Sequence, residues 1–92
     1  MRAVPRVTFT AHLQRHLGAP PSDVPGATVA EALAAVFHGR PELRGYLLDD
    51  QGALRRHVVV FVGGRPVQDR QRLSDAVPEG AEITVMQALS GG

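Results

Sequence analysis

Apolar and polar residues alternate in two segments of the chain, one near each end. In residues 4–10, Val7 and Phe9 alternate with more polar side chains, and residues 82–87 show the same pattern. A period of two is typical of a β-strand with one buried face, so both segments are predicted to be strands. In the second strand, Ile83 and Val85 are predicted to face one way, and Thr84 and Met86 the other.

The strongest strand signal is the apolar run within residues 57–62, where residues 58–62 all favour strands. A continuous run of this kind predicts a central strand that is covered on both faces. Gly63-Gly64 follows as a tight turn, and residues 65–67 are predicted to begin a short return strand.

One longer helix is predicted from residue 28 onwards. Thr28 and Glu31 form a Thr-x-x-Glu capping box, in which each side chain accepts a hydrogen bond from the backbone N–H of the other residue. Gly39 is predicted to cap the helix, and Pro41 prevents it from resuming. The apolar positions between these limits recur at helical spacing and form one face: they are Val29, Ala32, Leu33, Val36 and Phe37.

The remaining segments are predicted to be short or irregular. Two leucines four residues apart predict a helical turn over residues 11–17. Residues 22–25 are predicted to form a second short strand, antiparallel to the first. Residues 41–56 are predicted to be a long irregular connection, with a turn at residues 49–52.

The order of these elements indicates an α+β domain, in which a mixed sheet of about four to five strands has one main helix packed across one face. The first and last strands can lie side by side at the centre, with a right-handed crossover through the helix. This arrangement is the β-grasp, or ubiquitin-like, architecture, although the order alone leaves other small α+β folds open. We expect a domain over residues 1–88 and a flexible, free tail over residues 89–92 that ends in Gly-Gly.

Composition narrows the possible functions. A domain of 92 residues has little room for a deep substrate pocket, which argues against an enzyme with its own active site. The absence of cysteine excludes a disulfide, a thiolate metal site and a thiol nucleophile. All ten basic residues are scattered arginines and the net charge is +1, so we expect no nucleic-acid partner. No apolar run is long enough for a membrane span and no secretory signal is evident, so we expect a cytoplasmic protein.

Several short segments, taken together, are similar to a known family. They are Val7-Thr8-Phe9, residues 25–33, residues 60–67, Leu73-Ser74-Asp75 and residues 79–83. The most specific element is Ser90-Gly91-Gly92, which follows shortly after the last predicted strand. In these features the chain resembles the MoaD/ThiS family of prokaryotic sulfur carriers. Residues 45–57 are longer than in the smallest family members, which leaves the biosynthetic pathway open.

The resemblance implies a protein that carries sulfur and is a non-catalytic co-substrate. In this family a ubiquitin-activating-type adenylyltransferase uses ATP to convert the C-terminal carboxylate, here that of Gly92, into an acyl-adenylate. A sulfur donor, either a sulfurtransferase or sulfide, then replaces AMP and leaves a thiocarboxylate. The acceptor would be the large subunit of molybdopterin synthase, or a synthase that makes thiamine, cysteine or a thio-natural product. The carrier itself binds no cofactor. Gly91 and Gly92 suit the tail because glycine has no Cβ to obstruct a narrow channel.

Docking to such enzymes requires a surface, and exposed apolar residues often mark one. The sheet face away from the helix is predicted to offer Val59, Phe61 and Met86, although the core is the favoured interpretation of Val59 and Phe61. Leu89 and Ser90 lie where the tail leaves the sheet, and they are predicted to contact a partner.

Charged and polar residues give weaker signals. Arg56 and Arg65 are candidates to pair with partner carboxylates, although an exposed arginine is more often only solvated. His12 and His16 are interpreted as ordinary surface residues, because no third metal ligand accompanies them. Asp49-Asp50 lies in a turn and does not suggest general acid–base catalysis.

The sequence leaves two other functions open. A ubiquitin-like modifier that forms isopeptide bonds to target lysines would need the same activated Gly-Gly. A β-grasp interaction module with an inert tail would need no activation at all.

Overall fold

The computed structural model describes residues 4–18 and 20–87, and for residues 12 and 16 it describes the backbone alone. Eight elements follow one another in this part of the chain. They are β1 (Arg6–Phe9), α1 (Ala11–Leu17), β2 (Ser22–Asp23), α2 (Val29–Gly39), α3 (Glu42–Leu47), β3 (Val58–Val62), β4 (Arg65–Pro66) and β5 (Glu82–Gln87).

The strands form one mixed sheet with the order β2-β1-β5-β3-β4. At its centre β1 runs parallel to β5, and the register joins Val7 to Ile83 and Phe9 to Val85. The other three pairs are antiparallel. The first and last strands therefore lie side by side, and the predicted β-grasp architecture is confirmed.

One face of the sheet packs against α2 and forms the core. All five apolar positions predicted for the helix face are buried. Burying an aliphatic or aromatic side chain of this size stabilises a fold by about 1.5–3 kcal/mol, so this layer dominates the stability of the domain. The strand residues that face α2 are Val7, Phe9, Val58, Val60, Ile83 and Val85.

The start of α2 uses the predicted capping box with one difference. Thr28 Oγ1 accepts a hydrogen bond from the Glu31 N–H at 3.2 Å. Glu31 Oε1, however, accepts from the N–H of Ala27 at 2.8 Å, one residue before the N-cap. Thr28 also forms an isolated antiparallel bridge with Ala76, which ties the helix start to the loop before β5.

The predicted glycine cap at the end of α2 is wrong. Gly39 is the last residue of the helix, and the cap is Arg40, which has φ −142° and ψ 77°. The physical reason is Pro41, whose ring disfavours a helical conformation in the residue before it. The N–H of Arg40 still bonds to the carbonyl of Val36, at 3.1 Å.

The prediction of an irregular connection over residues 41–56 is also wrong, because its first half contains α3. Leu43 and Leu47 are buried four residues apart on one side of this helix. Consecutive apolar residues at 46–48 and a glycine at 45 hid this spacing in the sequence. A helix of six residues is too short to be stable alone, so packing of these leucines into the core is what holds it.

Two strands, β1 and β2, are shorter than predicted. Pro5 has no N–H to donate to a ladder, and Thr10 is already the N-cap of α1, so β1 is confined to the residues between them. The helical turn over residues 11–17 is confirmed as α1. The second strand shrinks to Ser22–Asp23, antiparallel to β1 as predicted.

Candidate functional site

The last strand determines where the predicted tail begins. β5 ends at Gln87, which pairs with Val58, the first residue of β3. The point where β5 ends, here called the tail exit, therefore lies at the end of the sheet where β3 begins and β1 finishes. Four predicted site residues, Leu89, Ser90, Gly91 and Gly92, lie outside the described residues, so their assignments stay predictions.

The sheet face opposite α2, here called the outer face, brings three predicted docking residues together. Val59 pairs directly with Met86, and Phe61 is two residues along the same strand. All three side chains are half-buried, and none belongs to the buried core. The interpretation of Val59 and Phe61 as core residues is therefore wrong, because only one face of β3 is covered by α2. The predicted orientation of Met86 away from Ile83 and Val85 is confirmed.

Arg65 lies apart from this group. It pairs with Val62 at the hairpin end of β3, and Val62 alternates in direction with Phe61, so the register places Arg65 on the other face. Four residue steps separate Val62 from Val58, which at a strand rise of about 3.3 Å is about 13 Å from the tail exit. The structure therefore does not join Arg65 to either the outer face or the tail exit.

The sequence did not predict the ordered turn at residues 55–57, which lies beside the tail exit. The Nε of Arg55 donates to the carbonyl of Gly45 at 2.9 Å, and Nη2 of Arg70 donates to the carbonyl of Arg55 at 2.9 Å. The ring of His57 meets Tyr46 edge-on, with centroids 5.6 Å apart and an interplanar angle of 89°. These contacts fix residues 55–57 against α3 and a distant loop. No local sequence signal could reveal them, since the partners are up to fifteen residues apart.

Two aspartates stabilise turns near this end of the domain. The carboxylate of Asp49 accepts hydrogen bonds from the N–H groups of Gln51 at 2.8 Å and Ala53 at 3.1 Å. These bonds hold the pKa of Asp49 below its ordinary value. The pKa of Asp69 is lowered as well, mainly by the hydroxyl of Ser74, which donates to its carboxylate. A carboxyl group held ionised in this way is suited to holding a turn, and poorly suited to exchanging protons at neutral pH.

Other kinds of site receive no support in the described part of the chain. Residues 4–18 and 20–87 contain no group of three side chains placed to hold a metal ion. The side chains of His12 and His16 lie outside the description, so their interpretation stays a prediction. None of the helices described is both long and apolar enough to cross a bilayer.

A shallow pocket of about 350 Å³ lies between the start of β1 and the start of α2. Because Arg6 pairs with Glu82 at the start of β5, this pocket is at the end of the sheet opposite the tail exit. The candidate functional site therefore consists of the outer face of the sheet and the end of β5.

Comparison with known proteins places this geometry in a family. The family model described as the ThiS family matches residues 7–92. A comparison with curated proteins finds no match.

Solved structures resemble the chain over almost its whole length. A chain of the Amycolatopsis orientalis BexX/CysO complex is 26% identical, with 97% of this chain and 100% of that chain covered and a TM-score of 0.80. SAMP1 from Haloferax volcanii is 30% identical, with 96% and 98% covered and a TM-score of 0.74. Mycobacterium tuberculosis CysO, described as an antigen, is 22% identical, with 92% and 99% covered and a TM-score of 0.77, a likeness of fold alone.

The family model extends from β1 through the central strand pair to Gly92. The chain belongs to the ThiS family.

Proposed function

We propose that this protein is a sulfur carrier whose reactive group is the carboxylate of Gly92. The observation that supports this most directly is the family match, which extends through the Gly91-Gly92 dipeptide. The proposal requires Gly92 to hold the terminal carboxylate, either as the last residue of the protein or after removal of any residues that follow it.

The chemistry begins with activation, because a carboxylate is a poor electrophile. A ubiquitin-activating-type adenylyltransferase joins the Gly92 carboxylate to the α-phosphate of ATP and releases pyrophosphate. Sulfide, or a persulfide on a sulfurtransferase with a thiol as reductant, attacks the acyl carbon and displaces AMP. The product is a thiocarboxylate, whose sulfur is nucleophilic and is passed to an acceptor enzyme. The carrier contributes the acyl group and its presentation, and the partners perform catalysis.

The position of the end of β5 suits this task. β5 has strands on both sides, so the last described residue before the tail is held within the sheet. A fixed strand end limits where the following residues can reach, which favours correct placement of the acyl carbon in a partner's active site. The half-buried apolar outer face lies on the same strands and offers a docking surface for the partner.

Measurement of the intact mass tests the proposal. The purified 92-residue protein is incubated with ATP, a sulfide source and a candidate adenylyltransferase. We expect a mass increase equal to the replacement of one oxygen by sulfur, and we expect no increase for a variant that lacks Gly92. The absence of this change with several active adenylyltransferases would refute the carrier function.

A second function is favoured by one relative. SAMP1 from H. volcanii, one of the similar structures described above, is by name a small archaeal modifier protein. A modifier would join Gly92 to lysines of other proteins through isopeptide bonds. This chain has no lysine of its own, so each conjugate would contain a single copy or several separate attachments. Peptides with a Gly-Gly remnant on target lysines, found by mass spectrometry of cells that express the protein, would support this function.

A further inference from the structure

Arginines from two separate segments lie close together at one end of the domain. Residues 44–57 and 69–72, here called the arginine platform, hold Arg44, Arg55, Arg56, Arg70 and Arg72. A Cβ added at Gly52 would lie 3.9 Å from Nη2 of Arg44, and Arg72 lines the same depression as Asp49 and Gln51. Tertiary contacts therefore bring residues 44–57 and 69–72 together.

The platform has an excess of positive charge. Its five arginines outnumber its three aspartates, which gives a formal charge of +2 against +1 for the whole chain. The carboxylates of Asp49 and Asp69 are also occupied by turn N–H groups. Arg56 is exposed, and its guanidinium forms no hydrogen bond or ion pair with the residues that the structure describes. At least one cationic group of the platform, that of Arg56, is therefore free of bonds to the described residues.

The platform is both ordered and adjacent to the tail exit. The main-chain N–H of Arg55 bonds to the carbonyl of Leu47 at 3.0 Å, and that of Leu54 bonds to the carbonyl of Arg70 at 2.9 Å. Val58 follows Arg56 by two residues and pairs with Gln87, the last residue of β5. A protein that binds the residues after Gln87 would therefore come close to Arg56. Because the backbone is already fixed, contact would cost little conformational entropy.

We propose that the arginine platform docks onto an acidic surface of the adenylyltransferase that receives the Gly92 tail, with Arg56 as its principal contact. This inference rests on the proposed function. An arginine guanidinium pairs with a carboxylate through two parallel hydrogen bonds, which gives such a contact orientation as well as attraction. Complementary charge of this kind mainly accelerates association and aligns the partners.

The test compares three variants of the full chain for binding to an adenylyltransferase that thiocarboxylates the wild type. Arg56→Glu reverses the charge beside the tail exit, and Arg65→Glu makes the same change at the far end of β3. Arg56→Lys keeps the charge. Association and dissociation rates are measured by surface plasmon resonance at low and at high salt, and the melting temperature of each variant is measured as a control for folding.

We expect Arg56→Glu to raise Kd about tenfold or more at low salt, mainly through slower association, with a smaller effect at high salt because ions screen exposed charges. Arg65→Glu should stay within about twofold of the wild type, since it leaves the proposed contact in place. Arg56→Lys should associate about as fast as the wild type but dissociate faster, because an ammonium group keeps the charge and cannot form two parallel hydrogen bonds with a carboxylate.

Three results would overturn the docking proposal. One is an unchanged Kd for a folded Arg56→Glu, and another is an equal or larger effect of Arg65→Glu. The third is a result in which Arg56→Glu weakens binding to a random-sequence RNA duplex and leaves binding to the enzyme unchanged. That result would make the platform a nucleic-acid surface. In each of these cases the wild type still gains sulfur, so the proposed function stands. If no adenylyltransferase modifies the wild type, both proposals fail together.

Discussion

Gly26 occupies the tightest position described for any glycine in this domain. A Cβ added there would lie 2.7 Å from the backbone nitrogen of Ala32 in α2. Ala32 is fully buried, so relief of the clash would require movement of the helix. Gly45 is the opposite case, since it lies inside α3 and an added Cβ would have nothing within 4 Å.

Substitution of these two glycines by alanine should have effects of opposite sign. We expect Gly26→Ala to lower the free energy of unfolding by about 1–3 kcal/mol, as overpacking does. Gly45→Ala should raise it by about 0.5–1 kcal/mol, because alanine favours the helix and restricts the unfolded chain. Urea denaturation measures both values. A loss of stability in Gly45→Ala, or none in Gly26→Ala, would contradict this account of the two sites.

Asp69 gives a prediction about pH. Its pKa in the folded protein lies below the ordinary aspartate value of 3.8, because Ser74 and nearby N–H groups stabilise the carboxylate. A lowered folded pKa means that its contribution is fully present above the ordinary pKa and is lost as the pH falls through the folded value.

We therefore expect Asp69→Asn to be less stable than the wild type at neutral pH, and this difference should shrink as the pH falls below the ordinary aspartate pKa of 3.8. Denaturant midpoints at several pH values measure the difference. Asp50→Asn is the matched control, since Asp50 is exposed and its carboxylate accepts no hydrogen bond from the described residues. A difference between Asp69→Asn and the wild type that is constant with pH would show that the charge of Asp69 is not responsible.

At the scale of elements, β3 and β5 present an apolar surface that the core does not use. Phe61 is half-buried on this outer face, beside the pair formed by Val59 and Met86. We expect Phe61→Ser to raise the Kd for the adenylyltransferase about tenfold or more, because large aromatic side chains near the centre of an interface contribute most of its affinity. The fold should persist, since Phe61 lies outside the core.

A matched control for Phe61→Ser is Val4→Ser. Val4 is also apolar, and it is 46% exposed, but it precedes β1 at the end of the sheet away from the tail exit. Its replacement should leave the Kd within about twofold, as most surface substitutions outside an interface do. Equal effects of the two variants on binding would mean that the outer face is not the docking surface.

The sequence predicted those elements whose pattern was long and locally complete. For α2, a capping signal, a five-residue apolar face and a following proline all agreed, and each of its apolar positions is buried. β5 was predicted with its limits and both of its faces correct. By contrast, α3 has only two buried leucines, and its existence depends on the core that receives them.

Candidate site residues were predictable to the extent that strand alternation determines them. The pattern identified Val59, Phe61 and Met86 as one set, but it could not show which face of β3 lacks a covering layer. The arginine platform could not be predicted from the sequence, for a different reason. Arg55 and Arg70 are brought together by a hydrogen bond between segments that the sequence shows only as separate loops.

At the scale of the whole molecule, we expect the domain to determine stability and the tail to determine function. Among the described residues, the buried core extends from Val7 to Val85. We expect removal of Gly91 and Gly92 to abolish thiocarboxylate formation and to shift the melting temperature by less than about 2 °C, as is usual for terminal residues outside a core. Mass spectrometry and calorimetry measure the two effects. A large drop in melting temperature would show that the tail contributes to the fold.

The parallel arrangement of β1 and β5 has a mechanical consequence. Because these strands are adjacent and run in the same direction, the start of β1 and the end of β5 lie at opposite ends of the pair. Tension between the tail and the beginning of the chain would act along both strands, so their hydrogen bonds would be loaded together in shear instead of opening one by one. β3 restrains the other edge of β5 in the same way. An enzyme that pulls on the residues after β5 would therefore meet a domain that resists unfolding under load. The force would act on those residues without unfolding the domain.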